Sequence, residues 1–146
     1  MAAGSDHLRL EGEVVGLWFE MQARLEAHFT ELAAKYELTA IQAKVLLLLQ
    51  PEGAMTMRSI AGLLQYDASN LTGVVDRLEE MGAVRRQPHP SDRRAKGVVL
   101  TAEGQRVRKA FWDRLTSNTG PLGRLNDREL VGLRRLLGTA LQRPAP

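Results

Sequence analysis

The helical spacing of apolar residues is interrupted once along this chain by strand-like spacing, and that interruption most constrains the fold. Between residues 8 and 81, apolar residues recur at the steps of three and four that are typical of amphipathic helices. Two short strand-like segments follow, Val84–Gln87 and Gly97–Leu100, and two further helical segments come after them. The order predicts a mainly α chain with one small β hairpin, an α+β fold.

Helix start and stop signals divide the first part of the chain into four helices. Thr39-Ala40-Ile41-Gln42 is typical of a capping box, in which the threonine and glutamine side chains each bond a backbone N–H of the first turn. Thr56 and Asp67 are good N-cap residues for a third and a fourth helix, and Gly82 stands where a left-handed C-cap follows the fourth. The predicted fourth helix runs from Asp67 to Met81.

The hairpin after Gly82, called the wing below, is predicted as two strands joined by a loop over residues 88–96. Pro88 and Pro90 stiffen the entry to that loop, and Thr101 caps a fifth helix after it. Three short helices followed by a basic two-stranded hairpin form the winged helix-turn-helix. We therefore assign a winged helix-turn-helix DNA-binding region to residues 38–100.

The helices at the two ends of the chain are predicted to make a dimer. The first helix, residues 8–36, has an apolar stripe at nearly coiled-coil spacing: Val14, Trp18, Met21, Leu25, His28, Leu32 and Tyr36. A helix of this length reaches beyond the core of a small domain, so part of its stripe should pack on another chain. Residues 101–142 supply the remaining dimerisation helices, within a single domain of residues 1–146.

Composition narrows the functional class. The chain has 146 residues, of which 44% are hydrophobic, enough for one domain with a core. No apolar run approaches the ~20 residues of a membrane span, and residues 1–6, predicted as a frayed tail, are not followed by a signal-peptide pattern. The lack of cysteine excludes disulfides and thiolate catalysis. We expect a cytoplasmic, nucleoid-associated protein that is not an enzyme and needs no cofactor.

The fourth helix carries the first group of candidate DNA contacts. Its apolar face is Leu71, Val74, Val75 and Leu78, and its other side presents short polar residues and one arginine. Side chains of this size let a helix enter a major groove about 12 Å wide. The alternative is an ordinary solvated helix face. The candidate contacts of this recognition helix are Ala68, Ser69, Asn70, Thr72, Gly73 and Arg77.

The wing carries the second group, Arg86, Asp92, Arg93, Arg94 and Lys96. Between Gly82 and Val99 the chain has five basic residues against one acid, although its net charge is only +3. Asp92 lies two residues before Arg94, close enough to orient its guanidinium. An oriented arginine at a hairpin tip suits a narrow minor groove, whose negative potential attracts it.

The recognition helix and wing together resemble the multiple-antibiotic-resistance regulator (MarR) family. That family's wing has an Asp, any residue and an Arg, then strand residues and a Leu-Thr-x-x-Gly helix start. Asp92, Arg94, Leu100, Thr101 and Gly104 match this pattern in order and spacing. Two segments are similar to its recognition helix, residues 69–72 and 75–79. The sequence departs from the family at Asp67-Ala68, where a Ser-Pro pair is common, and at Gly73, where many members have a longer residue.

The resemblance implies a triangular homodimer in which the first, fifth and sixth helices interlock. Members mostly act as repressors, and many release DNA on binding small phenolic or other lipophilic molecules. The expected partners are therefore a pseudo-palindromic double-stranded operator, a second copy of the chain and a small-molecule effector, with no membrane. Neither the effector nor its site is identified by the sequence. The thiol-sensing branch is excluded by the lack of cysteine.

Other site types have weaker support. His7, His28 and His89 lack metal-ligand spacing, so we predict no metal site. His89, Ser91 and Asp92 are triad residue types, but they crowd one loop, whereas a triad usually draws on separate segments. Four apolar residues that could line an effector pocket are better explained as core: Trp18, Met21, Phe29 and Phe111. The main alternative function is a winged-helix protein-interaction module that does not bind DNA.

Overall fold

The computed structural model describes residues 2–90, 92–117 and 120–142, with side chains described for residues 6–90, 96–117 and 120–142. The helices are α1 (Ala2–Lys35), α2 (Ala40–Leu48), α3 (Met57–Leu64), α4 (Ala68–Glu80), α5 (Ala102–Leu115) and α6 (Asp127–Ala140), with a 3₁₀ turn at Pro121–Arg124. The strands are β1 (Met55–Thr56), β2 (Val84–His89) and β3 (Asp92–Leu100), in one antiparallel sheet of order β1-β3-β2. The predicted fold class, mainly α with a small β wing, is confirmed.

The described chain divides into two compact units. One comprises Phe29–Arg114 and contains the whole region assigned to the winged helix-turn-helix. The other comprises Met1–His28 and Leu115–Pro146. The assignment of residues 8–36 and 101–142 to dimerisation stays a prediction.

The predicted caps are present. Thr39 Oγ1 accepts a hydrogen bond from the Gln42 N–H at 3.3 Å, and Gln42 Oε1 accepts one from the Thr39 N–H at 2.8 Å. Thr56 Oγ1 accepts from the Ser59 N–H at 3.1 Å. Gly82, with φ of +71°, follows α4 in the left-handed region that glycine adopts without strain. These short-range bonds place α2, α3 and α4 where the sequence predicted them.

The start of α5 is docked onto the turn after α4. Thr101 Oγ1 accepts from the Gly104 N–H at 3.0 Å and donates to the carbonyl oxygen of Gly82 at 2.5 Å. The Thr101 N–H donates to the carbonyl oxygen of Ala83 at 3.1 Å. A Cβ atom on Gly104 would lie 1.8 Å from that same oxygen, so only glycine allows this approach. The Leu-Thr-x-x-Gly segment therefore joins the recognition helix, the wing and α5.

The core lies in the unit Phe29–Arg114. Phe111 of α5 is buried and packs edge-on against Phe29 and Tyr36 of α1, with ring centroids 5.1 and 5.5 Å away. The Tyr36 hydroxyl donates to the carbonyl oxygen of Ala110 at 3.1 Å. The other large side chains that are almost fully buried are Leu46, Leu49, Ile60, Leu71, Leu78, Val45, Val75, Val84 and Val98. This packing joins the C-terminal end of α1 to α5.

Two predictions about the sheet were wrong. The sheet has three strands, because Met55 and Thr56 pair with Val98 and Gly97 of β3. A two-residue strand leaves too short a pattern to be recognised without its partner. The wing strands are also longer than predicted, because the hairpin pairing extends through Pro88 to His89. Pro88 is tolerated because β2 lies at the edge of the sheet.

Helix α1 is also longer than predicted: it starts at Ala2, so residues 2–6 are helical where a frayed tail was expected. In the unit Met1–His28 with Leu115–Pro146, none of the residues whose side chains are described is buried. Large apolar side chains are exposed there, including Leu17 at 67% and Phe19 at 65%. Among the described residues, no helix combines the length and apolar character needed to cross a membrane.

Candidate nucleic-acid interface

The first turn of α4 is organised by Asp67. Its Oδ1 atom accepts hydrogen bonds from the N–H groups of Ser69 and Asn70 at 2.8 and 3.3 Å, and from the Ser69 hydroxyl. The Ser69 hydroxyl, followed by the two N–H groups, lowers the pKa of Asp67 below its usual value. The charged carboxylate therefore holds the first turn of α4 and orients Ser69.

Helix α4 has a buried face and an open face. Leu71, Val75 and Leu78 are fully buried. The predicted DNA-contacting residues are all exposed on the same helix: Ala68, Ser69, Asn70, Thr72, Gly73 and Arg77. Their direction relative to the buried face agrees with the predicted amphipathic pattern, while their contact with DNA stays a prediction.

Gly73 leaves space at the middle of the open face. A Cβ atom built on it has nothing within 4 Å among the described atoms of the chain. Intramolecular packing therefore does not explain a residue that costs about 1 kcal/mol relative to alanine in a helix interior. The missing side chain leaves open space beside the helix backbone at this position.

Arg77 lies at the side of the open face. Its Nη1 atom lies 2.8 Å from Glu80 Oε2, and its side chain is 65% exposed. An exposed pair within one helix contributes little to stability. The guanidinium can therefore exchange this carboxylate for a phosphate or a base edge at small cost.

Arg86 takes a position that the sequence did not predict. Its Nη1 donates to Glu79 Oε2 at 2.5 Å and its Nη2 to Asp76 Oδ1 at 2.6 Å. Its backbone N–H also donates to Glu79 Oε1, at 3.0 Å. Its side chain is only 21% exposed. Both acids lie on α4, so the arginine that was assigned to the wing's DNA-contacting set faces the recognition helix instead.

The pKa shifts agree with this arrangement. The pKa of Glu79 is lowered, first by the hydrogen bond from the Arg86 backbone and then by the guanidinium. Burial works to lower the pKa of Arg86, but hydrogen bonds to Asp76 and Glu79 outweigh it and raise the pKa overall. Glu79 and Arg86 are therefore charged at neutral pH. Sequence reasoning missed these two acids because α4 and β2 meet only after the turn at Gly82.

The half of the wing nearer its tip packs on the segment before β1. A Cβ on Gly97 would lie 2.8 Å from the Cβ of Ala54, and His89 Nε2 lies 3.1 Å from the carbonyl oxygen of Ala54. Lys96 is exposed and opposes Pro88 across the hairpin. The backbone of Asp92, Arg93 and Arg94 belongs to β3 rather than to a loop, which corrects the predicted loop over residues 88–96. The side chains of these three lie outside the described set, so their contacts stay predictions.

The alternative sites are placed as follows. Within the described residues, no group of three His, Asp or Glu side chains is arranged to hold a metal ion. Ser91 lies outside the described residues.

The four apolar residues that were expected in the core differ in burial. Phe29 and Phe111 pack on each other, and Phe111 belongs to the core of its unit, as expected, while Trp18 is exposed. Met21 borders an open groove of about 710 Å³ in its own unit, with Leu17, Glu20, Arg24, Gly120, Pro121 and Arg124.

Comparison with known proteins finds a family match in the helix-turn-helix and the wing. The family model described as MarR family matches residues 38–96, which span α2, α3, α4 and most of the wing. Over these residues the chain is similar to the MarR family of transcription regulators. The resemblance that the sequence indicated is thereby confirmed for the matched range, which contains Asp92 and Arg94 and ends before Leu100, Thr101 and Gly104.

Relatives cover most of the chain. The HTH-type transcriptional regulator PecS of Dickeya dadantii (strain 3937) is 29% identical over 129 residues, 86% of this chain and 78% of PecS. CouR from Rhodococcus jostii RHA1, solved bound to p-coumaroyl-CoA, is 28% identical with a TM-score of 0.71, covering 90% of this chain and 93% of CouR. BpsR of Bordetella bronchiseptica is 28% identical with a TM-score of 0.67, covering 90% and 94%. The likeness to these proteins therefore extends over residues of both units of the chain.

Proposed function

We propose that this chain is a member of the MarR family and acts as a homodimeric repressor that binds a pseudo-palindromic double-stranded DNA site. The observation that carries the proposal is the open face of α4, where short polar side chains and Gly73 are exposed on a helix whose other face is fully buried. That face lies on the same compact unit as the basic wing.

The chemistry of the face suits base recognition. Asn70 can pair with an adenine edge, Ser69 and Thr72 can bond to bases or phosphates, and Arg77 can make two bonds to guanine. Lys96, with Arg93 and Arg94, would neutralise phosphates or enter the adjacent minor groove. In this arrangement α4 contacts base edges in the major groove of the duplex, and the wing contacts the phosphates or the adjacent minor groove.

Replacing Arg77 with Ala should weaken operator binding by about 1–3 kcal/mol if the guanidinium reads guanine. The preference at that base should relax at the same time. The operator would be obtained by selection from random duplexes, and affinities measured by gel shift at several salt concentrations.

Arg106→Ala is the matched control for this variant. Arg106 forms the same kind of exposed i,i+3 pair, with Glu103 of α5, outside the helix-turn-helix. It should bind like the wild type. Unchanged affinity and base preference in Arg77→Ala would contradict major-groove insertion of α4. Failure of the wild-type chain to select any duplex would contradict the proposed function and favour the protein-interaction module.

The exposed apolar residues of α1 support the homodimer. Leu8, Val15 and Phe19 follow one line along the helix, and Val14 and Trp18 another, all exposed. In α6, Val131 and Leu136 are exposed as well. Contiguous apolar surface of this extent marks an interaction site, and closed two-fold pairing is the commonest way to cover it.

We expect a dimer in sedimentation at micromolar concentration, and a shift towards monomer when Val14 and Trp18 are both replaced by Glu. Two buried carboxylates would lose their hydration without gaining partners. Leu63→Glu, at an equally exposed apolar position of α3, should stay dimeric. A monomeric wild-type chain would contradict the proposal.

The proposal includes release of DNA by a small lipophilic effector. Two related structures support this: CouR was solved bound to p-coumaroyl-CoA, and the BpsR structure concerns regulation of its DNA binding by 6-hydroxynicotinic acid. An effector that binds the DNA-free form more tightly lowers the affinity for the operator by the same ratio. A gel shift with a panel of phenolic acids and their thioesters would identify it.

A further inference from the structure

We infer that Arg86 is a positioning residue, which fixes the recognition helix against the wing and does not contact DNA. The inference rests on the proposed function, because its effect is measured on operator binding. It concerns a residue that the sequence alone placed among the DNA contacts of the wing.

The bonding of Arg86 directs its guanidinium towards α4. Nη1 and Nη2 each donate to a different carboxylate, Glu79 at 2.5 Å and Asp76 at 2.6 Å. The side chain is the least exposed of the three, at 21% against 53% for Asp76 and 40% for Glu79. These bonds occupy two of the five guanidinium N–H groups, and turning the side chain away from α4 towards a phosphate would break both of these charge-assisted bonds.

The same bonds join two elements that approach DNA in different ways. Glu79 of α4 accepts hydrogen bonds from both the backbone N–H and the guanidinium of Arg86. It therefore bonds α4 to the main chain of β2 as well as to a side chain of that strand. Arg86 pairs in register with Val98 of β3, the strand that carries Lys96. The distance and angle between α4 and the wing are therefore fixed at this point.

The arrangement also neutralises two acids on a helix that would meet a polyanion. Asp76 and Glu79 flank Arg77 and Leu78 on α4, and unpaired they would repel phosphates. If Arg86 were itself a phosphate contact, these acids would compete with DNA for it. Removing them would then tighten binding. If Arg86 instead positions α4 against the wing, removing the two carboxylates should weaken operator binding, even though the protein becomes more positive.

The decisive variant is Asp76→Asn with Glu79→Gln, measured against the selected operator and against a scrambled duplex. We expect operator binding to weaken about tenfold, within the range of coupling seen for residues of one hydrogen-bonded network. Glu103→Gln is the control, because it removes a carboxylate from an arginine pair confined to α5. It should leave binding near the wild-type value. Tighter operator binding by the double variant would overturn the inference.

Arg86→Met and Arg86→Lys are compared by two quantities that a loss of stability alone would not change. These are the salt slope of binding and the ratio of the affinities for operator and scrambled duplex. Loss of a phosphate contact weakens all sequences alike and lowers the salt slope by about one unit. Loss of a positioning residue should reduce the ratio of the affinity for the operator to the affinity for the scrambled duplex. The salt slope of operator binding should stay nearly unchanged. Lysine retains the charge but has only one nitrogen atom, so it cannot reproduce the two guanidinium nitrogen donors that bond Glu79 and Asp76. Arg86→Lys should therefore resemble Arg86→Met. Full rescue by lysine, or a salt slope lowered by one unit, would overturn the inference.

Circular dichroism would show whether each variant is folded, and stoichiometric titration with operator would give the fraction that is able to bind DNA. The measured affinities would be corrected for that fraction. If Arg86→Met does not fold, the carboxylate variant decides the question. Absence of operator binding by the wild-type chain would overturn the proposed function and this inference with it. Wild-type binding combined with tighter binding by the carboxylate variant overturns the inference alone.

Discussion

Replacing Gly104 with Ala should lower the free energy of unfolding by more than about 2 kcal/mol, because the new methyl group overpacks a site closed by backbone. Its Cβ would lie 1.8 Å from the carbonyl oxygen of Ala83 and 2.8 Å from the carbonyl carbon. Relief requires α5 to move away, and Thr101 then loses its hydrogen bonds to Gly82 and Ala83. Urea unfolding followed by circular dichroism, at one fixed protein concentration, measures the change.

Gly62→Ala is the matched control for this substitution. Gly62 lies inside α3 with nothing within 4 Å of the added Cβ, so the alanine should stabilise the protein by about 0.5–1 kcal/mol through its higher helix propensity. The two variants carry the same chemical change with opposite expected signs. Equal effects would contradict the close approach of α5 to the turn after α4.

Replacing Phe111 with Ala should lower the free energy of unfolding by about 3–5 kcal/mol, the usual cost of truncating a buried phenylalanine. Phe111 is 2% exposed, and its loss removes the edge-on contacts with Phe29 and Tyr36. The cavity would lie where the end of α1 packs on α5. Thermal and urea unfolding measure the change, and operator binding near the wild-type value in the remaining folded protein would show that the loss is one of stability.

Leu63→Ala tests whether burial rather than side-chain size causes this effect. Leu63 is 63% exposed on α3, and its truncation should change stability by less than about 0.5 kcal/mol. A loss from Phe111→Ala as small as this would show that the aromatic cluster is not part of the stabilising core.

Features determined by near neighbours were predictable from the sequence. Thr39, Thr56 and Asp67 each bond to N–H groups two or three residues ahead, so the starts of α2, α3 and α4 depend on residue types within one turn. The apolar period of α4 determines its buried face, and the six candidate contact residues therefore emerge exposed together. The order of helices and hairpin was sufficient to predict the mainly α fold class.

Features that depend on partners distant in sequence were decided by the tertiary structure. Met55 and Thr56 form a strand only because β3 offers a free edge to them. Gly104 is required by a carbonyl oxygen that packs against it after Gly82 turns the chain. Arg86 lies seven residues after Glu79, on a different element, and nothing local distinguishes it from a solvated wing arginine. A charged side chain takes whichever partner best replaces its lost hydration, and only the packing of α4 against β2 brings Asp76 and Glu79 within reach.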